Sequence, residues 1–281
     1  RARVSRPRRR ASAYDLAVPV LTLIAPASRP ELTDAAVREA AAGRTVGEIR
    51  WLARGTAVEA PVDGPDTVAP EVWARWQELG VDVVVQPDGE RRRRVLLADM
   101  DSTMIEQECI DELAAHAGVG EQVAGITARA MNGELDFAEA LHARVSLLRD
   151  LPETVVDTVV ADRLTFTQGG DVLVATMRAN GAYTALVSGG FTQFTRVVAG
   201  RLGFDEHRAN TLETADGRFT GKVVLPVVGA EAKVAALQEV VGRLGLGVGD
   251  VLAVGDGAND VPMLQLAATG VALHAKPVVA A

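Results

Sequence analysis

The strongest restriction on the fold comes from residues 95–103, VLLADMDST, where an apolar run ends on two carboxylates. The run itself, 95–98, predicts a short strand buried inside a parallel sheet. Asp99 and Asp101 follow two residues apart, so we expect both side chains on one side of the backbone, in a crevice at the carboxyl edge of that sheet. Because neighbouring acids repel each other, the pair indicates either a bound metal ion or a carboxyl that stays protonated.

Further polar residues stand at matching places downstream. A second apolar strand, within 251–260, ends on Asp256 and Asp260. Ser188 follows another strand in a Ser-Gly-Gly turn that can hold a phosphate oxygen, and Lys233 lies near the start of a helix. Each motif alone is more often an ordinary turn or a solvated surface. Together, the order of strands and polar groups brings all of them to one edge of one sheet.

Strands and helices alternate along most of the chain, which predicts a mostly parallel sheet covered on both faces. Four helices are predicted directly after the first strand, at 107–118, 120–133, 136–150 and 152–164. They form an insertion, so we expect a small helical cap at about 105–168 over the end of that strand. The predicted fold class is α/β, with a Rossmann-like core and its cap together occupying 91–281.

The amino-terminal part predicts a separate, small α+β domain at 17–90. Its predicted elements are a strand at 21–26, a helix at 34–41, a strand pair at 49–62, a helix at 69–80 and a strand at 81–87. Trp73 and Trp76 lie three residues apart in the second helix, which predicts that both pack against the sheet. Residues 1–14 hold six arginines and no acid, so we expect a disordered tail over 1–16.

Composition limits the range of partners. A net charge of −8 and an aromatic content of 4% argue against a general nucleic-acid binder. No apolar run approaches the roughly 20 residues that cross a bilayer, so we expect no membrane partner. Cys109 is the single cysteine, which excludes an intramolecular disulfide and favours a reducing compartment. We therefore expect a cytoplasmic protein that acts on a small molecule.

The order strand-Asp-x-Asp, strand-Ser, helix-Lys, strand-Asp-x-x-x-Asp resembles the haloacid dehalogenase superfamily of phosphotransferases. The segments DMDSTMIEQECIDELA, MNGELDFAEALHARVSLL, VSGGF, EAKV and GDGANDVPML resemble the phosphoserine phosphatase family within it, over roughly residues 95–275. The resemblance implies that Asp99 is a nucleophile that becomes an aspartyl phosphate and that Asp101 is the general acid and base. It implies further catalytic roles for Ser188 and Lys233. The implied ligands of a Mg²⁺ cofactor are the Asp99 carboxylate, the Asp101 main-chain carbonyl, Asp256 and Asp260.

The same resemblance implies hydrolysis of O-phospho-L-serine to L-serine and phosphate, the last step of serine biosynthesis. The implied substrate contacts are Glu108, Arg144, Ser188, Gly189, Lys233 and Asn259, with Met131 and Phe137 as lid residues that pack around the substrate. Glu108 and Arg144 offer one complementary charge each to the ammonium and the carboxylate of phosphoserine. Without the resemblance, the same two residues would be interpreted as a solvated acid and a solvated base, or as a pair with each other.

Three other functions stay open at this point. Another phosphomonoesterase, or a phosphotransferase with an acceptor such as homoserine, would have the same motifs. An amino-acid sensor would bind its ligand at 17–88 and carry an inactive phosphatase domain. A structural interaction protein is the third alternative, although it leaves the aligned acidic and basic positions without a purpose.

Two regions depart from the resemblance or match it loosely. Residues 17–90 are only loosely similar to the ACT-type regulatory domains of some family members, and we expect any homo-oligomer to form through them. The family fold continues with a further strand and helix after the segment GVALHAKP, at 270–277, whereas this sequence ends at Ala281. We therefore expect a chain that is shortened at that end.

Overall fold

The structure is a computed structural model that describes residues 18–26, 28, 31–89, 91–131 and 134–274. The predicted tail at 1–16 lies outside the described residues. The chain divides into two compact units, Arg1–Arg91 and Arg92–Ala281. In the described part of the chain, no helix combines the length and the apolar character that crossing a bilayer requires.

The first unit is a four-stranded antiparallel sheet with two helices. Its strands are β1 (Val20–Ile24), β2 (Arg50–Ala53), β3 (Ala57–Pro61) and β4 (Asp82–Gln86), and its helices are α1 (Asp34–Ala40) and α2 (Pro70–Glu78). The order across the sheet is β2-β3-β1-β4, and the chain order β-α-β-β-α-β is that of ferredoxin-like folds. Leu21 and Leu23 of β1 share a core with Val37 of α1 and Trp76 of α2, so both helices cover the same face of the sheet.

One prediction for this unit is half wrong. Trp76 is buried in the core, as expected, but Trp73 is 42% exposed. A spacing of three residues corresponds to 300° of helical rotation, so Trp73 lies about 60° round the helix from Trp76. Because α2 buries only a narrow stripe on this sheet, that rotation moves Trp73 to the edge of the contact.

The second unit contains the α/β core and the inserted helices. Its strands are β5 (Val95–Ala98), β6 (Tyr183–Phe191), β7 (Glu206–Ala215), β8 (Arg218–Val224), β9 (Val251–Gly255) and β10 (Thr269–Ala272). Its helices are α3 (Cys109–Ala117), α4 (Gly120–Met131), α5 (Phe137–Ser146), α6 (Val155–Asp162), α7 (Gly170–Ala179), α8 (Thr192–Leu202), α9 (Ala230–Leu244) and α10 (Val261–Leu266). The sheet order is β10-β9-β5-β6-β7-β8, and all neighbours are parallel except the β7–β8 hairpin. The predicted α/β class with a mostly parallel sheet is confirmed.

The central strand β5 shows why both faces of the sheet are covered. Val95 and Leu97 point to one face and share a core with residues of α9 and α10. Leu96 points to the other face and packs with Val174 of α7. Successive side chains of a strand alternate between faces, so an unbroken apolar run requires an apolar layer on each side.

The inserted helices α3 to α6 follow β5 and precede α7. Residues Ile105 and Phe166 form an isolated antiparallel bridge where the insertion leaves the core and returns to it. Helix α5 begins with a capping box, in which Asp136 accepts from the backbone N–H of Glu139 and the Glu139 side chain accepts from the N–H of Asp136. The start of α5 is thereby fixed at Phe137, one of the residues expected to face the substrate.

Candidate active site

Parallel pairing places the predicted polar residues at one edge of the sheet. Ala98, the last residue of β5, lies opposite Leu186 of β6 and Val254 of β9. The residues that come next, Asp99, Val187 and Gly255, are therefore level with one another on the three strands. The backbone N–H of Asp99 continues the ladder by donating to the Val254 carbonyl at 3.0 Å. Asp99 and Asp256 follow β5 and β9 as predicted, whereas Ser188 lies within β6 rather than after it. All three still lie at this edge of the sheet and line one pocket.

Lys233 joins two of the acids. Its side chain is fully buried, and its Nζ lies 2.8 Å from Asp99 Oδ2 and 2.6 Å from Asp260 Oδ1. The second oxygen of Asp260 accepts from the N–H of Gly257 at 3.0 Å and from the N–H of Asp256 at 3.2 Å. A Cβ atom at Gly255 would collide with the Asp260 carboxyl group, so this turn requires a glycine where β9 ends.

The buried charges in this cluster do not balance. Burial raises the pKa of Asp99 to about 8, because the attraction of Lys233 does not offset it and the charge of Asp260 adds to it. Burial also raises the pKa of Asp101 to about 7, with a further contribution from the charge of Glu108. Burial alone would lower the pKa of Lys233, but Asp99 and Asp260 outweigh it and the pKa is raised. The cluster holds more negative charge than one lysine neutralises.

Three carboxylates have the arrangement and the chemistry of a metal site. Oxygen atoms of Asp99, Asp256 and Asp260 all lie within 4.8 Å of one another. An all-oxygen, anionic donor set suits a hard divalent cation such as Mg²⁺. The Asp101 carboxylate instead accepts from the backbone N–H of Cys109 at 3.2 Å. That Asp101 binds the metal ion through its main-chain carbonyl stays a prediction.

The Ser-Gly-Gly turn lies directly beside the acids. Ser188 is buried, and its Oγ accepts from the backbone N–H of Gly190 at 2.9 Å. A Cβ atom at Gly190 would collide with Asp101 Oδ2, and one at Gly189 would lie 3.3 Å from Cζ of Phe137. Gly190 is therefore needed for close approach to the second acid of the pair, whereas a side chain at Gly189 would make a tight contact with the ring from α5.

A pocket of about 250 Å³ opens at this edge of the sheet. The predicted site residues that line it are Asp99, Asp101, Glu108, Phe137, Arg144, Ser188, Gly189, Asp256 and Asn259. The volume fits a small metabolite rather than a polymer. Lys233 and Asp260 lie behind the wall of the pocket, fully buried. Met131 ends α4, and its side chain lies outside the described part of the structure.

The charged residues at the rim come from the inserted helices. Glu108 precedes α3, is exposed, and accepts from Ser102 Oγ at 2.8 Å. Arg144, on α5, is half-buried and donates from Nε to the Ala140 carbonyl at 3.2 Å. Burial lowers the pKa of Arg144, while attraction to Asp111 and Glu108 opposes that effect. The pocket therefore combines an acid and a base on one side with the acidic cluster on the other.

Two residues of the site were missed by sequence analysis. Thr103 is fully buried, and its Oγ1 donates to Asp256 Oδ1 at 2.9 Å. Its position two residues after Asp101 was the available signal. Asn210, in β7, is buried and donates to the Gly189 carbonyl at 2.8 Å. No local pattern in the sequence marks Asn210, because its partners come from other parts of the chain.

Comparisons with known proteins agree with this geometry. A family model described as haloacid dehalogenase-like hydrolase matches residues 96–265. The phosphoserine phosphatase of Streptomyces coelicolor is 43% identical over 254 residues, which cover 87% of this chain and 61% of that protein. The chain thus spans about three fifths of the length of that relative.

Two solved structures are similar over most of their own length. A haloacid dehalogenase family hydrolase from Salmonella enterica serovar Typhi has a TM-score of 0.81 and 31% identity, over 94% of this chain and 92% of the other. A phospho-aspartyl intermediate analogue of phosphoserine phosphatase has a TM-score of 0.63 and 39% identity, over 68% of this chain and 90% of the other.

Proposed function

Since this chain belongs to the haloacid dehalogenase-like hydrolases, and within them to the phosphoserine phosphatase family, we propose that it hydrolyses O-phospho-L-serine to L-serine and phosphate. The observation that carries the proposal is the cluster of Asp99, Lys233 and Asp260 beside the Ser188–Gly190 turn, in a pocket rimmed by an acid and a base. The cluster and the turn suit the phosphate of the substrate, the acid suits its ammonium, and the base suits its carboxylate.

Asp99 is the nucleophile in this proposal. Lys233 holds its Oδ2 at 2.8 Å, and the backbone N–H of Met100 donates to its Oδ1 at 2.8 Å, so the carboxylate is oriented before substrate arrives. A carboxylate oxygen of Asp99 forms a bond to phosphorus while the bond from phosphorus to the serine oxygen breaks in line. The electron pair of the broken bond stays on the serine oxygen, which needs a proton.

Asp101 supplies that proton and later takes one back. Its pKa of about 7, raised chiefly by burial, leaves a useful fraction of the carboxyl protonated at neutral pH. After serine departs, the Asp101 carboxylate removes a proton from water as the water attacks the aspartyl phosphate, which releases phosphate and regenerates Asp99. A positioned acid and base of this kind contributes about 10²- to 10⁴-fold to the rate.

Mg²⁺ fits the acidic cluster and would be held by Asp99, Asp256 and Asp260, in which case Thr103 orients Asp256 through its 2.9 Å hydrogen bond. When bound, Mg²⁺ neutralises part of the negative charge that a phosphate dianion meets at this site. Lys233 contributes in the same direction, because its buried ammonium is the fixed positive charge between two acids. The excess negative charge of the cluster supports a requirement for the ion.

The first experiment measures phosphate release from a panel of phosphorylated amino acids and from p-nitrophenyl phosphate. We expect turnover of O-phospho-L-serine that stops in excess EDTA and returns when Mg²⁺ is added. Release from p-nitrophenyl phosphate alone would reject the substrate but keep the reaction class, whereas no release from any ester would reject the activity. Adding homoserine and assaying for its phosphorylated form separates hydrolysis from transfer.

Arg144 tests the amino-acid part of the proposal. Arg144→Met should raise KM for O-phospho-L-serine by about tenfold or more, because a charge-assisted hydrogen bond to the substrate carboxylate is lost. KM for p-nitrophenyl phosphate, which has no such carboxylate, should change little. The matched control is Arg129→Met, which removes an exposed arginine of α4 that bonds Glu134 at 3.1 Å. An equal loss on both substrates would contradict the assignment of Arg144.

A further inference from the structure

The phosphate-binding turn is a bulge in the sheet. In the pairing of β6 with β7, Val187 lies opposite Arg208 and Phe191 lies opposite Asn210. Three residues of β6, 188–190, therefore stand against a single residue of β7. Such a bulge pushes the Ser-Gly-Gly segment out of the ladder and towards the pocket, at the cost of the hydrogen bonds that a regular strand would make.

Asn210 supplies a hydrogen bond in place of one that the bulge removes from the ladder. The Gly189 carbonyl lies in the displaced segment, and the side-chain amide of Asn210 donates to it at 2.8 Å. Asn210 is only 1% exposed, so this hydrogen bond is made away from water. The side-chain amide therefore gives a backbone carbonyl of the displaced segment a partner inside the protein. The side chain thus fixes the bulge from behind, on the side away from the substrate.

The same side chain holds a second loop. Its amide also donates to the Val228 carbonyl at 3.2 Å, and its Oδ1 accepts from the Val228 N–H at 2.7 Å. Val228 is followed by Gly229, which precedes α9 and accepts from the backbone N–H of Lys233 at 3.1 Å. Asn210 therefore connects the turn that carries Ser188 with the loop that starts the helix of the buried lysine.

We propose that Asn210 is a positioning residue for phosphate. It sets the position of the Ser188–Gly190 turn relative to the loop that leads to Lys233, and Lys233 holds Asp99 at 2.8 Å. A phosphate dianion at the turn therefore faces Asp99. Asn210 does so from outside the lining of the pocket. The inference rests on the proposed function only in that the site accepts a phosphate monoester, and it applies to any leaving alcohol.

The hydrogen-bonding capacity of Asn210 makes the inference testable with a matched substitution. An asparagine side chain has two N–H donors and a carbonyl acceptor, and in the structure the Asn210 nitrogen makes two hydrogen bonds and its oxygen makes one. Asn210→Asp keeps the shape and the acceptor but replaces the donors with an oxygen that faces two carbonyls. Asn210→Ala removes all three bonds without adding a charge, and it serves if the aspartate variant does not fold.

The control is Asn180→Asp. Asn180 donates from its side-chain amide to the Thr176 carbonyl at 2.8 Å, at the exposed carboxyl end of α7. The chemical change and the type of hydrogen bond match those at position 210. The location is an exposed helix end outside the lining of the pocket. Full activity of Asn180→Asp would show that the substitution alone does not impair the enzyme.

The experiment measures kcat and KM with O-phospho-L-serine and p-nitrophenyl phosphate, and the binding of inorganic phosphate by calorimetry in the presence of Mg²⁺. We expect Asn210→Asp to lower kcat/KM by about 100-fold and equally on both substrates, because a small displacement of positioning groups has that effect. The dissociation constant of inorganic phosphate should rise in parallel. Variant concentrations are corrected for the folded fraction from thermal unfolding.

Two results would overturn the inference. In one, the folded fraction of Asn210→Asp or Asn210→Ala falls, but KM and the phosphate dissociation constant of the folded protein stay at the values of the unsubstituted protein, which is what a purely structural residue would give. In the other, only turnover of O-phospho-L-serine falls, which would place Asn210 with the amino-acid contacts. Failure of the unsubstituted protein to hydrolyse O-phospho-L-serine would reject that substrate, and p-nitrophenyl phosphate with inorganic phosphate would still test Asn210.

Discussion

A buried acid in the first unit has a lowered pKa, whereas a buried acid in the second unit has a raised one. Glu59, on β3 of the first unit, is 6% exposed and forms ion pairs with Arg50 and Arg91. Burial would raise the pKa of Glu59, but the two arginines outweigh burial and lower it. Asp99, at the end of β5 in the second unit, is 5% exposed, and burial raises its pKa to about 8 although Lys233 lies 2.8 Å away.

The difference comes from charge balance as well as from the stronger effect of burial on Asp99. Glu59 is a single acid with two arginine partners, so the protein itself stabilises its ionised form. Asp99 shares one lysine with Asp260 and lies near Asp101 as well. A buried acid cluster that the protein leaves partly uncompensated is a place for an external cation and for chemistry, whereas a compensated acid is a structural element.

The largest effect is expected from removing the uncompensated acid. Asp99→Asn removes the nucleophile, so phosphate release with Mg²⁺ should fall by about 1,000-fold or more. The same change removes an acid whose ionised form is disfavoured by burial, so the folded protein should not lose stability in EDTA. Glu59→Gln, measured beside it, should leave turnover unchanged. Intact turnover in Asp99→Asn would break the contrast between the two acids and the mechanism with it.

Lys233 is the base in the charge balance of the second unit. Lys233→Met leaves two buried carboxylates without their cation, and this should lower the free energy of unfolding by about 3 to 5 kcal/mol in EDTA. Urea unfolding measures the loss. The double variant Asp99→Asn with Lys233→Met should recover part of it, because one of the two uncompensated charges is gone. A double variant no more stable than Lys233→Met alone would mean that charge is not the cause.

The contribution of Glu59 to the free energy of unfolding should depend on pH in the opposite sense to that of a carboxyl whose pKa is raised. Its folded-state pKa lies below the ordinary value of 4.5, so its ion pairs stabilise the fold above that pH and the contribution is lost as pH falls through the folded-state pKa. Glu59→Gln should cost about 1 to 2 kcal/mol at pH 7, and the cost should shrink towards acidic pH. Glu48→Gln, at an exposed acid, is the control, and a cost independent of pH would contradict the ion-pair explanation.

The smallest expected effect concerns packing without charge at the same edge of the sheet. A Cβ atom at Gly229 would lie 3.2 Å from Cδ1 of Phe137, whereas one at Gly242 in α9 would meet nothing within 4 Å. The backbone at Gly229, with φ −119° and ψ −159°, does not require a glycine. Gly229→Ala should therefore raise KM for O-phospho-L-serine about threefold through overpacking against the ring, and Gly242→Ala should not. A double variant with Phe137→Ala should remove the difference.

Much of the fold followed from local patterns. The apolar run before Asp99 and its repeat before Asp256 predicted buried parallel strands, and the glycines and helical spacings predicted the inserted helices. The prediction that Trp73 packs inward was wrong, because helical spacing gives an angle between residues but not the width of the buried stripe. The residues that line the pocket were predicted mainly through their motifs, whereas Asn210 lies in no motif and was missed.

The amino-acid sequence alone predicts which acids stand at the ends of buried strands, since strand periodicity and parallel pairing are properties of short segments and their order. How those acids share the Lys233 ammonium depends on the folded structure. The position of Lys233 between Asp99 and Asp260, the hydrogen bond from Thr103 to Asp256 and the bridge made by Asn210 all join residues from separate elements. Charge balance depends on such contacts and on burial, and neither is encoded in the spacing of residues along one strand or helix.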